Sequence, residues 1–375
     1  MLSDVIKEFS CRNKDLRVQK VYSVTNSDGF VPSQDYFSKD VFSKDLSNYK
    51  IVRKGMLAYN PSRINVGSVA CLQSEDEVIV SPLYVVVEVN EKKLLAEYLN
   101  LFLHSDIALE QIKSLTSGSV RDSLKYNDFT RLCFPLPSVE TQQAVIEKLS
   151  AVKNLIAKRE QQLAMLDQLA KSRFIEMFGN PFENPREWSI ISIGTIIQHA
   201  NNGMARRGND EAGNIVLRLV ELQAGFLDYT NPNRIILTKQ ESERFLLKEN
   251  DFLFARVNGN PENVGRCTYF KELSEPVYHN DHIIRVQFKE QTISSEYLQH
   301  LLNSPYGRSE MRNKIKTSAG QYTINQEGIG GICIPLPPLE LQNKFAAFVE
   351  QLDKSKVIGE KQRFILEKIT CIYIL

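Results

Sequence analysis

The sequence lacks any run of about 18 apolar residues, so no membrane-spanning helix is expected from it. The first residues, Met1-Leu2-Ser3-Asp4, place an acid where a signal peptide needs apolar length. These two absences point to a cytoplasmic protein with reduced thiols. Cys11, Cys71, Cys133, Cys267, Cys333 and Cys371 form no CxxC pair, and their spacing suits neither a zinc site nor a disulfide framework. His279 and His282 make an HxxH spacing with no cluster of further ligands around it, so a structural role is expected and no metal. No GxxxxGK[ST] is present to cradle a triphosphate, and Gly328-Ile329-Gly330-Gly331 is not a dinucleotide fingerprint. An excess of either charge is missing too, with Lys plus Arg at 46 and Asp plus Glu at 45. A near-neutral total can still hide a basic face, so the balance leaves nucleic-acid binding open.

What is present is a duplication. Phe134-Pro135-Leu136-Pro137-Ser138-Val139-Glu140-Thr141-Gln142 returns 200 residues later as Ile334-Pro335-Leu336-Pro337-Pro338-Leu339-Glu340-Leu341-Gln342 (position 135 to position 335). Glu97-Tyr98-Leu99 matches Glu296-Tyr297-Leu298, and Ser119 to Leu124 matches Ala319 to Ile324. Upstream, Val52 to Tyr59 resembles Leu247 to Phe254, and Val66-Gly67 and Val264-Gly265 follow. Solenoid repeats are about 20–50 residues long, so a period of this size is a duplicated domain. Its 375 residues also suit two or three domains.

Each copy runs into a helix. Ser138 can cap the first, and Pro337-Pro338 pre-set the start of the second. From Ser138 to Phe178 there is neither Gly nor Pro. Leu149, Val152, Ile156, Leu163, Leu166, Ala170 and Met177 alternate three and four apart, interrupted at Arg159 and Arg173. That is a coiled-coil seam, stopped by Gly179-Asn180-Pro181. Phe345, Val349 and Leu352 begin the same seam in the second helix, which weakens beyond Lys356 and carries Gly359. Val78–Val80, Tyr84–Val87, Ile215–Leu217 and Ile283–Val286 read as strands, and Leu94–Ser114 and Glu296–Ile315 as helices. The fold class is therefore α+β, with two tandem domains and long helices that pair as an antiparallel coiled coil. The boundaries expected are 1–137, 138–180, 181–337 and 338–375.

With these residues assembled, the chain resembles the specificity subunit of type I restriction–modification systems. Gly320, Ile324, Ile334 to Glu340 and Gln342 carry the likeness in the second half; Gly118, Leu124, Phe134 to Pro137 and Gln142 carry it in the first. Ala164 to Phe174, followed by Met177-Phe178-Gly179, adds to it. The resemblance implies that each half is a target-recognition domain reading one part of a bipartite double-stranded DNA site. It implies two methyltransferase subunits docked on the helices, with a restriction subunit able to join. It places S-adenosylmethionine, and ATP with Mg, on those partners, with no cofactor on this chain and no membrane partner.

The chemistry absent from the chain agrees. An adenine methyltransferase needs Asn/Asp-Pro-Pro-Tyr/Phe around its flipped base, and Asn60-Pro61-Ser62 and Asn180-Pro181-Phe182 lack the second proline. Glu75-Asp76-Glu77 are consecutive acids whose side chains diverge, so they read as a solvated turn rather than a nuclease centre. No catalytic residue is assigned. Candidate DNA contacts are Arg53, Lys54, Arg63, Ser119, Arg121 and Lys125 in the first half. In the second they are Arg206, Arg207, Arg256, Asn258, Arg266, Lys316, Gln321 and Tyr322, with Asn260, Asn263 and Lys314 nearby. Arg and Lys supply phosphate contacts and Arg reads guanine, while Asn and Gln pair with adenine edges. The alternative is a non-catalytic coiled-coil scaffold, an inactive or phase-variable remnant, whose domains bind protein.

Overall fold

The structure, a computed structural model, describes residues 2–36, 43, 45–116, 123–318 and 320–374. It divides into two compact units, Met1–Gln161 with Glu360–Leu375, and Gln162–Gly359. The division falls inside two long helices.

In the first unit the strands are β1 (Ile6–Glu8), β2 (Tyr22–Val24), β3 (Phe30–Pro32), β4 (Lys50–Arg53), β5 (Leu57–Tyr59), β6 (Val69–Cys71), β7 (Glu77–Val80) and β8 (Val85–Val89). Its helices are α1 (Ser33–Tyr36), α2 (Ala96–Leu103), α3 (Asp106–Thr116), α4 (Tyr126–Phe129) and the first part of α5 (Val139–Phe178). The main sheet is antiparallel in the order β1-β8-β5-β6. β8 is four valines in five residues, stiff side chains that suit a pleated surface. One face of that sheet packs Leu57, Tyr59 and Val87 against Leu99, Phe102 and Ile112 of α2 and α3.

The second unit continues with β9 (Ser189–Ser192), β10 (Ile197–Asn202), β11 (Asn214–Leu217), β12 (Arg234–Ile235), β13 (Phe252–Ala255), β14 (Val257–Asn258), β15 (Cys267–Tyr269), β16 (Val277–His279), β17 (Ile283–Phe288), β18 (Lys316–Ser318), β19 (Gln321–Thr323) and β20 (Cys333–Leu336). Its helices are α6 (Lys239–Phe245), α7 (Ser295–Asn303), α8 (Pro305–Arg312), α9 (Gln326–Gly330) and most of α10 (Leu339–Ile374). Its sheet β10-β17-β13-β15 repeats the antiparallel order of the first unit. The duplication read from sequence is thus a duplication of topology.

The helices expected over Leu94–Ser114 and Glu296–Ile315 are each broken into two. At the second break Pro305 cannot continue α7, and Ser304 Oγ accepts from Gly307 N to start α8. At the first, Ser105 Oγ accepts from Ala108 N in the same way. A serine cap in the middle of an apolar periodicity was the signal available.

The long helices pair within each unit. In the second, Phe345 meets Phe174 and Phe178, Arg173 lies over the Phe348 ring, and Lys356 Nζ reaches Asp167 Oδ1 at 2.8 Å. α10 therefore runs back along α5. In the first, Arg363 meets Glu160 in the same antiparallel sense. The residues turned inward on α5 include Leu149, Val152, Ile156, Leu163, Leu166, Ala170 and Met177. Beyond Leu352 the seam of α10 continues through Lys356, Gly359 and Arg363, polar where it was apolar. Gly179, at φ +82°, ends α5, and Pro185 sits where a side chain would stand.

Candidate nucleic-acid interface

The shared motifs turn out to be a clamp. Gln142 is fully buried; its Oε1 accepts from Leu95 N at 2.8 Å, and its Nε2 donates to the carbonyls of Lys93 and Pro137, both at 2.9 Å. Gln342 repeats this, accepting from Ser294 N at 2.8 Å and donating to Pro337 O at 2.7 Å. Tyr98 and Tyr297 donate to the carbonyls of Pro135 and Pro335. The glutamine and tyrosine of the repeat thus fix the start of each long helix to its own domain. Ser138 Oγ caps α5 by accepting from Thr141 N at 3.3 Å.

A second link, present in both copies, holds the candidate contact segments. Leu124 N donates to Pro61 O at 3.0 Å, and Ile324 N to Arg256 O at 2.9 Å. Both side chains are buried. Lys125 and Asn325 follow, each at the N-cap of a short helix, α4 or α9.

In the second unit this link belongs to a small sheet, β14-β19-β18, which brings four candidates together. Asn258 pairs with Tyr322, and Lys316 and Gln321 lie on the β18–β19 hairpin. Gly320, at φ +78°, makes its turn. Lys316 and Gln321 are exposed, while Tyr322 rests on the core. Asn258 Oδ1 accepts from Asn260 N, and Asn260 in turn caps Glu262 N. Beside the sheet, a cleft of about 540 Å³ is lined by Asn202, Arg256, Thr323, Asn325, Gln326 and Glu327. Arg256 Nε and Asn202 Oδ1 are buried there with no hydrogen-bond partner among the described residues. Arg256 and Asn202 both line this cleft, and guanidinium and amide groups are the side-chain types that pair with base edges. Asn202, Asn325 and Gln326 were not identifiable from sequence, because an isolated amide in a loop carries no periodic signal.

Arg207 stands near this cleft. It reaches Asp281 at 2.7 Å and His282 Nε2 at 3.2 Å, and His282 O accepts from Arg256 N. Burial, ahead of Asp281's opposing attraction, lowers the pKa of His282. Two other arginines are held by the fold. Arg206 grips Glu241 through both ends of its fork and also donates to Ile236 O at 2.7 Å. That grip, with the Thr238 backbone, holds the Glu241 carboxyl down at about 2. Arg266 turns inward and donates to Leu219 O and Gln223, its pKa lowered by burial and by Arg308.

In the first unit, Arg63 and Lys125 are exposed and flank the Leu124–Pro61 link. Arg53 pairs with Glu77 at 2.9 Å over the Phe9 ring, away from that link in the sequence of strands. Lys54 is exposed beside a groove shared with Lys7, Glu88 and Lys92. Ser119 and Arg121 lie outside the described residues. Glu75 and Glu77 are not a bare solvated turn: Glu75 binds Lys20 and Tyr22, and Glu77 opens β7 and also holds Arg17. His279 is fully buried and His282 half-buried, and no metal-binding cluster occurs among the described residues. No helix is long and apolar enough to cross a membrane, among the described residues.

Two antiparallel sheets of one order, each clamped by a glutamine to a long helix, define a duplicated α+β protein with paired helical spacers. The chain belongs to the type I restriction modification DNA specificity domain family, whose profile matches residues 10–167 and 185–368. It is 30% identical over 285 residues to the type I restriction enzyme StySPI specificity subunit of Salmonella potsdam, covering 72% of this chain and 61% of that protein. It is 25% identical over 286 residues to the EcoKI specificity subunit of Escherichia coli K12, again covering 72% and 61%. The chain thus spans less than two thirds of the length of these two relatives. In fold it resembles a chain from a type I R-M system, with TM-score 0.61 and 16% identity over 100% of this chain and 95% of that one. It also resembles the type I S subunit of M. genitalium, with TM-score 0.58 and 14% identity over 100% and 93%.

Proposed function

We propose that this chain is the DNA-reading, non-catalytic subunit of a type I restriction–modification complex. The observation that carries the reading is that the family profile matches both halves of the chain. Each unit reads one part of a bipartite site in double-stranded DNA. In the second unit, Asn202, Arg256, Asn258 and Gln321 read base edges, and Lys316 and Arg207 contact phosphates. In the first, Arg63 and Lys125 do so with Ser119 and Arg121. Two methyltransferase subunits dock on the paired helices and bring S-adenosylmethionine; a restriction subunit brings ATP and Mg. The shared clamps keep the frame constant while the polar segments between them differ, as reading two different half-sites requires.

The test is an exchange. Residues 200–325 are replaced by those of a homologue, and methylated sites are sequenced in cells that supply the methyltransferase subunits. One half of the methylated motif changes and the other is retained. A change in both halves, or in neither, favours the protein-binding scaffold instead.

A further inference from the structure

The two copies differ at the link that holds the contact segments. The Leu124 N–Pro61 O bond of the first unit and the Ile324 N–Arg256 O bond of the second join the same points of the frame. Pro61 thus stands where the second unit has Arg256. Three residues after the linking amide, at the second position of α4 and of α9, the first unit has Asn127 and the second Glu327. One copy carries a cation and a carboxylate at these two places, and the other carries neither.

Opposite charges in one cleft gain energy by pairing. Arg256 and Glu327 line the same cleft, yet their side chains make no hydrogen bond or ion pair with each other or with any other described residue. Every other arginine from β10 to α9 donates to a carboxylate or a carbonyl, save Arg244, which lies over the Phe245 ring. Arg256 is nevertheless fixed at its backbone. Its N donates to His282 O at 2.8 Å, and its carbonyl takes the bond from Ile324. Its Nε is buried in the wall, so the guanidinium presents its two terminal nitrogens. Glu327 is not needed to start α9, because Asn325 Oδ1 already accepts from Gly328 N at 2.8 Å.

We propose, resting on the DNA-reading role above, that this cleft reads a G·C base pair in the half-site of the second unit. Arg256 donates through both terminal nitrogens to guanine O6 and N7, and Glu327 accepts from the cytosine N4 amine. These groups share the major-groove edge of the pair, two acceptors on one base and a donor on the other. A phosphate would satisfy Arg256 but would meet the Glu327 charge. An A·T pair sets the adenine N6 amine beside N7, and a guanidinium has nothing with which to accept from it. The first unit, with Pro61 and Asn127, carries no equivalent pair.

The probe is duplex DNA carrying the methylated site, offered to the full chain together with methyltransferase subunits. The exchange of residues 200–325 first assigns one half of the motif to the second unit. In that half each guanine of either strand is replaced in turn by 7-deazaguanine, which lacks N7 and keeps its Watson–Crick pairing. At one guanine, methylation by the parent falls about tenfold. Arg256→Gln loses that sensitivity, Glu327→Gln accepts other base pairs at the same position, and the other half of the motif is unchanged. The parent's sensitivity decides the case alone should a variant fail to fold. A half-site without guanine, insensitivity at every guanine, or relaxation by the two variants at different positions would sink the G·C reading and leave the chain a DNA reader. So would a uniform loss over all sites by a folded Arg256→Gln with the motif unchanged, which is the mark of a phosphate contact. An exchange that changes both halves or neither would end both readings.

Discussion

Gln342 illustrates how one buried side chain can do what a motif needs. Its amide supplies an acceptor to Ser294 N and a donor to Pro337 O, tying the first turn of α10 to the loop before α7. Gln342→Leu keeps the volume and removes both bonds. Each buried polar group left without a partner costs about 1–3 kcal/mol. With two such groups left, Ser294 N and Pro337 O, the variant is less stable by about 2–6 kcal/mol, read as a lower urea midpoint with an unchanged slope. An unchanged midpoint would mean that water replaces the amide. The glutamine was visible in the sequence as part of the repeat, yet its role was not, because both its partners lie about 48 or 5 residues away on backbone atoms that have no sequence signature. The candidate contacts show the same limit. Arg206, Arg207, Arg256 and Arg266 look alike as letters, but only the fold separates the two held by Glu241 and Leu219 from the one with an unpartnered Nε beside a polar cleft.

Among the elements, α5 was the most legible, because absence of Gly and Pro over forty residues and a three-four apolar alternation leave few other structures. The strands β7, β8, β11 and β17 were legible for their β-branched runs. The two- and three-residue strands β14, β18 and β19 were not, although they carry four of the candidate contacts; they are defined by a long-range pairing rather than by composition. Gly359 has a clear meaning only in the pair of helices. A Cβ there would lie 3.1 Å from Leu163 Cδ2, the far end of a flexible, half-buried side chain. Leu163 can yield a few tenths of an ångström, and alanine is better than glycine in a helix interior by about 1 kcal/mol. Gly359→Ala thus raises stability by about 0.5–1 kcal/mol. A thermal midpoint lower than that of the parent would show that the helices need the close approach.

At the scale of the whole molecule, duplication has kept a frame and changed its interior. The registers Ala58↔Val86 and Leu253↔Arg285 place Val86 of the first unit at the position of Arg285 in the second. Six residues upstream in each, Val80 corresponds to His279. The first unit is apolar at both places. The second buries Arg285, which donates to Asn201 at 2.9 Å and Leu246 O at 2.6 Å and lies 3.6 Å from Asp251, together with a fully buried His279. Burial, and then the neighbouring Arg285 charge, push the His279 pKa from its usual 6.5 to about 3. A histidine kept neutral in the fold takes its proton only on unfolding. Its contribution to stability is therefore complete above pH 6.5 and is lost as pH falls from there towards 3, at about 1.4 kcal/mol per pH unit. The chain has one tryptophan, Trp188, whose Nε1 donates to Phe178 O at 2.9 Å in the second unit. Its fluorescence follows that unit alone. Urea midpoints read from Trp188 should fall between pH 7 and pH 5 by an equivalent of about 2 kcal/mol. His279→Gln keeps a donor for Phe245 O and cannot titrate, so that part of the fall disappears. If the variant loses as much stability as the parent over the same interval, the acid sensitivity of this unit resides in its carboxylates and not in His279.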